Sequence, residues 1–397
     1  MKKLIFLSFF LVSISILNAQ LEKRQKQVWL GELQRSNNAE KAGVVRAYFD
    51  RFGDLYPENG TIIPYKDFFD PEHKGNVYQE DDSGSLETYY CNNQEQLNNL
   101  AASYGAEVVS DCKLTFKNIQ EKINQVYTSL LNNLISNDKT LIVLIHGFND
   151  PNPTGDYQQL RDKINEQYPT SKYIYLEIFW DGLTDNHGAP ALAGIWGRAQ
   201  KNSSNVAIGL RMLLSKIENT TPIRIITHSL GASVGSGALF NTNSKWSSNP
   251  EYEEYSKTTP APNQQDIRLG MIAPAIPGET TFIDFNKRGD KESSPVNINI
   301  NKIIIGFNRN DYAVTKRILR GDNAGMAGAT GLGCDCDNEL IRSQKSLKIL
   351  KYTDEQIKKL FVPIEFTVFK EKVSEEHGLY YYILNPQIKL FLKEMLE

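Results

Sequence analysis

Residues 140–145 read Thr-Leu-Ile-Val-Leu-Ile. A continuous apolar, β-branched run of that length, without polar alternation, marks a strand covered on both faces. The pattern recurs at Tyr173–Phe179, Ile223–Thr227, Ile267–Ala273, Ile303–Phe307 and Ile364–Phe369. Between these runs, Tyr157–Tyr168, Asn202–Ile217 and the small-residue stretch Ala232–Phe240 have helical character. Strands alternating with helices imply βαβ units, hence an α/β fold with a mostly parallel central sheet flanked by helices. Sheets of this kind bind their ligands at the carboxyl ends of the strands.

The rest of the chain is read around that core. Residues 138–397 form the expected α/β domain. Residues 20–137 are expected to be a mainly helical extension: Leu21–Phe52 is polar with little β-branched content, and Tyr56–Gly84 is loop-like. Gln94–Asn137 is helical, with Ile119, Ile123, Val126, Leu130 and Leu134 three or four apart. The 397 residues carry 40% hydrophobic side chains and a net charge of −3, with no basic block, so nucleic acid is not implied as a partner.

Residues 1–19 resemble an export signal. Lys2 and Lys3 precede an apolar run, Leu4–Leu17, followed by Asn18-Ala19-Gln20, which offers a small residue for cleavage. The run is too short to favour a membrane span, which needs about 20 apolar residues. An uncleaved anchor is the alternative, and no later stretch is long enough to span a bilayer. The expected location is therefore periplasmic or extracellular, where disulfides persist. Of the four cysteines, Cys91 with Cys112 is the favoured pair. Cys334 and Cys336 are one residue apart, so a bridge there would be strained. They read as two thiols or a labile bridge rather than as a metal site, since ligands are too few.

Three motifs carry chemistry. Ile225–Ala232, Ile-Ile-Thr-His-Ser-Leu-Gly-Ala, reads as strand, sharp turn and helix, with Ser229 at the turn as nucleophile. Gly231, with Ala232, Gly235 and Gly237, suits close packing of helix on strand. Thr227 stands where a first glycine is usual in the G-x-S-x-G elbow, which predicts a slightly opened turn. The plain alternative is a serine capping a helix. Upstream, His146-Gly-Phe-Asn149 follows the buried strand. Acyl transfer needs two backbone N–H groups aimed at the developing oxyanion, and Leu230 and Phe148 are the candidate donors. Gly147 permits the tight turn, and His146 is assigned a loop-shaping role rather than that of base.

Chain order in this architecture runs Ser, then Asp or Glu, then His. His377 is the one histidine after Ser229 and is the candidate base. Asp311, in the loop behind Lys302–Phe307, is the candidate acid that fixes its tautomer, favoured over Asp284 and Asp290 because it follows a strand end. The glycines of Arg320–Gly333 read as a flexible insertion rather than a lid, and lack a phosphate-cradling pattern. Phe179, Trp180 and Trp196 could line a pocket but are more simply packing residues.

The ordered segments His146–Asn149, Phe179-Trp-Asp-Gly182, Thr227–Gly231, Ile272-Ala-Pro274, Asn310-Asp-Tyr-Ala-Val314 and His377 resemble a bacterial α/β-hydrolase family with an HGFN loop and an H-S-x-G elbow, once classed as a domain of unknown function. The resemblance covers roughly residues 138–390. It implies the α/β-hydrolase fold and an acid in an N-D-x-A-L-like loop, which Asp311 and Ala313 match. Many relatives also carry an Asp in a P-D-like turn; here that position is Ala275. The expected activity is serine hydrolysis of carboxylic esters through an acyl-enzyme on Ser229. The expected substrate is a small or lipid-like acyl compound, and neither an organic cofactor nor a metal is required. The alternatives are a peptidase or thioesterase on the same fold, or a secreted non-catalytic binding module.

Overall fold

The computed structural model describes residues 43–57, 85–135, 139–148, 150, 153–182, 189–217, 220–240, 242, 258–260, 266–279, 281–283, 300–315, 330–367 and 376–397. The signal-like segment, Asp284, Asp290 and residues 320–329 of the glycine-rich stretch lie outside them.

Among the described residues, seven strands form one sheet: β1 (Val44–Tyr48), β2 (Thr140–Ile145), β3 (Tyr173–Phe179), β4 (Ile223–His228), β5 (Ile267–Ile272), β6 (Ile300–Phe307) and β7 (Phe361–Glu365). Their spatial order is β1-β3-β2-β4-β5-β6-β7, and every neighbouring pair is parallel. The central strands are buried along nearly their whole length, as a parallel sheet with helices on both faces requires.

The helices are α1 (Leu86–Asn92), α2 (Gln94–Tyr104), α3 (Cys112–Leu134), α4 (Pro153–Asn165), α5 (Ala189–Ser215), α6 (Gly231–Leu239), α7 (Glu339–Ile349), α8 (Asp354–Leu360), α9 (Leu379–Leu384) and α10 (Ile388–Leu396). Helix α6 is buried at every position and packs on β2, β4, β5 and α5. Its run of Gly, Ala and Ser permits that closeness. Its last carbonyls are met by Arg211 of α5, a fully buried guanidinium that donates to Gly237, Ala238 and Phe240 at 3.1, 2.9 and 2.7 Å.

From β2 the chain steps outward to β3, whereas from β4 it steps the opposite way to β5. The connections leaving β2 and β4 therefore diverge, opening a crevice above their carboxyl ends.

Several sequence expectations are corrected or sharpened. The region read as a helical extension supplies β1, the edge strand of the sheet. Within a segment poor in β-branched residues, Val44 and Val45 pair with Tyr175 and Leu176 of β3. Arg46 sits opposite Glu177, a buried carboxylate that bonds its Nε at 2.8 Å and also meets Arg161. The helical stretch expected over Gln94–Asn137 holds two helices among the described residues, α2 and α3, because Gly105 takes a left-handed conformation (φ 61°) that ends α2. The last strand is Phe361–Glu365, not Ile364–Phe369. Pro363, which suggests a break, is tolerated because β7 lies at the edge of the sheet, with β6 as its sole neighbour among the described residues.

Both cysteine pairs are bridged. Cys91–Cys112 ties α1 to α3, with Cα atoms 5.6 Å apart, and Cys334–Cys336 spans 5.1 Å. Gly331–Gly333, expected to be part of a flexible insertion, lie with Cys334 in a buried 3₁₀ turn. It packs there because a side chain at Gly333 would meet Ala273 and Pro274 backbone within 2.8 Å. Replacing Cys91 and Cys112 together by Ser is expected to cost about 3 kcal/mol. A lowered midpoint in urea unfolding measures this; an unchanged midpoint would show the bridge to be idle.

Candidate active site

The crevice at the ends of β2 and β4 collects the residues singled out in the sequence. Ser229 follows β4 directly and adopts φ 53°, a left-handed conformation that costs a non-glycine residue energy and turns the chain sharply into α6. The turn is braced by the backbone. Ser229 N–H donates to Ile272 O at 3.0 Å, and its carbonyl accepts from Ala275 N–H at 3.0 Å and Ala232 N–H at 3.2 Å. Thr227 causes no clash at the elbow. Its methyl lies 2.7 Å from where a Cβ on Gly235 would be, so that glycine of α6 makes room for it.

Ser229 Oγ lies 2.7 Å from His377 Nε2, and His377 Nδ1 lies 2.7 Å from Asp311 Oδ2. These three side chains come from positions 82 and 66 residues apart along the chain. Asp311 is fully buried, and His377 keeps some exposure. The second oxygen of Asp311, Oδ1, accepts from the N–H groups of Ala313 (2.9 Å) and Val314 (3.2 Å).

The loop after β2 lies against the nucleophile. A side chain at Gly147 would come within 2.6 Å of Ser229 Cβ and 3.3 Å of Oγ. Gly231 likewise meets the carbonyls of His146 and Ile145, at 2.4 and 2.7 Å from a hypothetical Cβ. Among the described residues, the N–H groups of Leu230 and Phe148 donate to no acceptor. His146 is buried with both ring nitrogens engaged. Trp180 N–H donates to Nε2 at 3.2 Å, so the ring proton is on Nδ1 and is donated to Gly147 O at 2.9 Å. Burial pushes its pKa down to about 4. This neutral ring holds the loop in shape and has no free nitrogen to act as base.

Neither the protein-family models nor the curated proteins compared with the chain match it.

Of the three aromatic residues considered for a pocket, Phe179 and Trp180 belong to the core; Trp180 stacks on His146. Trp196 is partly exposed. It meets Phe148 edge to face at 5.0 Å and packs against Ala275, Val314 and Cys334. Among the described residues, no group of three or more His, Cys, Asp or Glu side chains could hold a metal ion. No described helix is long and apolar enough to cross a membrane.

Two residues of the site were not found from the sequence. Tyr382 of α9 donates its hydroxyl to Asp311 Oδ2 at 2.6 Å, and His228 contacts the backbone of His377. Tyr382 is buried, and burial with the Asp311 charge keeps its phenol well above the ordinary range, so it stays protonated and can donate to the carboxylate. Its only sequence signal is a tyrosine-rich helix five residues after His377. Its bond draws charge from the oxygen that faces His377. In Tyr382→Phe that oxygen holds an imidazolium more strongly. The acidic limb of the kcat/KM–pH profile is then expected to move to higher pH, by less than about one unit. An unmoved limb would show that the hydroxyl is only packing.

Proposed function

We propose that this chain is a serine hydrolase of the α/β-hydrolase type that cleaves carboxylic esters through an acyl-enzyme on Ser229. The observation that carries the reading is the unbroken hydrogen-bonded line from Ser229 Oγ through His377 to Asp311. Its nucleophile stands on a left-handed turn at the switch point of a parallel sheet. That combination is the geometry of an activated serine.

In this reading His377 Nε2 takes the Ser229 proton as Oγ attacks the acyl carbonyl. Asp311 holds the imidazole with its proton on Nδ1 and balances the charge it gains. The oxyanion is met by the N–H groups of Leu230 and Phe148, which have no other acceptor among the described residues. His377 then protonates the departing alkoxide, and water releases the acyl group by the reverse route. The apolar side chains of Phe148, Trp196, Ala275 and Val314 belong to this same framework. They favour an apolar acyl compound. Export is part of the proposal: the signal-like residues 1–19 and two disulfides both suit an oxidising compartment.

A fluorophosphonate probe is expected to label the mature protein once, on the peptide carrying Ser229, and p-nitrophenyl esters are expected to be turned over. Ser229→Ala is expected to remove both. A wild-type protein that takes no label and turns over no ester would sink the reading and bring the binding-module alternative forward.

A further inference from the structure

His228, the residue immediately before the nucleophile, is buried at the end of β4. Its ring Nε2 lies 2.8 Å from the backbone carbonyl of His377, which can only accept, so Nε2 carries the ring proton. The other nitrogen, Nδ1, is buried and has no hydrogen-bond partner. A second proton there would be an unpaired buried donor, so the ring is held neutral by its surroundings. Burial and the neighbouring His377 lower its pKa to about 3, in the same direction. The rings of His228 and His377 are 5.0 Å apart, and that of Tyr382 is 6.3 Å from His228.

We infer that His228 is a positioning residue: it ties the backbone of His377 to the nucleophile's own strand, and so sets the distance between His377 Nε2 and Ser229 Oγ. The inference rests on the serine-hydrolase reading above. His377 sits ahead of the short helix α9, on a loop rather than on the sheet. Its side chain is fixed by Asp311 and its backbone by His228. Because His228 and Ser229 are consecutive, the anchor of the base moves with the nucleophile. A neutral ring at this place has a second use. It adds no positive charge beside the imidazolium that forms during attack, which a lysine or a protonated histidine would oppose.

The test compares three variants with the wild type. His228→Gln keeps an N–H the same number of bonds from the backbone, whereas His228→Phe and His228→Met remove it. Phe and Met are expected to lower kcat and the rate of fluorophosphonate labelling by roughly 10- to 100-fold, as a small misplacement of a base does, with KM changed less than about twofold. Gln is expected to recover most of the loss. If His228→Phe does not fold, the contrast of Gln with Met decides. A further measurement uses the wild type alone. Ring ¹⁵N resonances of His228 are expected to keep the Nε2–H pattern from about pH 5 to pH 9. Donor-free variants that label at the wild-type rate, or a His228 ring that titrates in that window, would overturn the inference while leaving the hydrolase reading standing. A wild type that takes no label would overturn both.

Discussion

Asp311→Asn is expected to lower kcat by roughly 10⁴-fold while leaving the protein folded. The size of the effect follows from which way the new amide must face. Asp311 Oδ1 accepts two backbone N–H groups, from Ala313 and Val314. Those donors cannot turn away, so an asparagine places its carbonyl oxygen there. Its NH₂ then occupies the Oδ2 position, opposite His377 Nδ1 and the Tyr382 hydroxyl. An NH₂ in that place donates to Nδ1, which forces the imidazole proton onto Nε2, the nitrogen that faces Ser229. A protonated Nε2 cannot take the serine proton. The fold suffers little, because the Tyr382 hydroxyl can accept from the amide as readily as it donates to the acid. Steady-state kinetics on an activated ester, with a thermal melt as control, measure this. A loss below about tenfold would mean that Asp311 is not the orienting acid.

Gly231→Ala is expected to damage both stability and catalysis. Its Cβ would lie 2.4 Å from His146 O and 2.7 Å from Ile145 O. Both are backbone atoms at the end of a central strand, so nothing nearby can rotate aside. Overpacking of this kind costs about 1–3 kcal/mol, and the rigid backbone here puts it at the upper end. The most mobile response is for His146 and the loop after it to shift, and that loop carries the Phe148 N–H. Loss of one oxyanion donor lowers kcat by about 10²- to 10³-fold. Gly197→Ala, in α5, is the internal control. Nothing lies within 4 Å of a Cβ there, and removing a helical glycine stabilises by about 1 kcal/mol. Melting temperatures and kcat for the two variants test the pair. Equal behaviour would show that the approach of α6 to β2 does not shape the site.

The strands at the centre of the sheet and the residues on their ends were legible because their information is local. Thr140–Ile145 and Tyr173–Phe179 can be seen as buried strands from composition alone, and they occur with those bounds. Ser229 is marked by a strand, a turn and a run of small residues within eight positions. Asp311 and His377 follow from chain order and strand ends, and the structure brings all three side chains into contact.

What the sequence by itself determined, then, is the parallel α/β character of the chain and the set of side chains at its central crevice. Tertiary structure alone decided the rest, because each remaining feature depends on a partner far along the chain. Val44–Tyr48 is a strand because Glu177, 131 residues away, sits buried opposite Arg46. Tyr382 is part of the site because α9 folds it onto Asp311, 71 residues earlier. His228 meets a carbonyl 149 residues distant. Periodicity and composition report which face of an element is buried; they carry no record of what it is buried against.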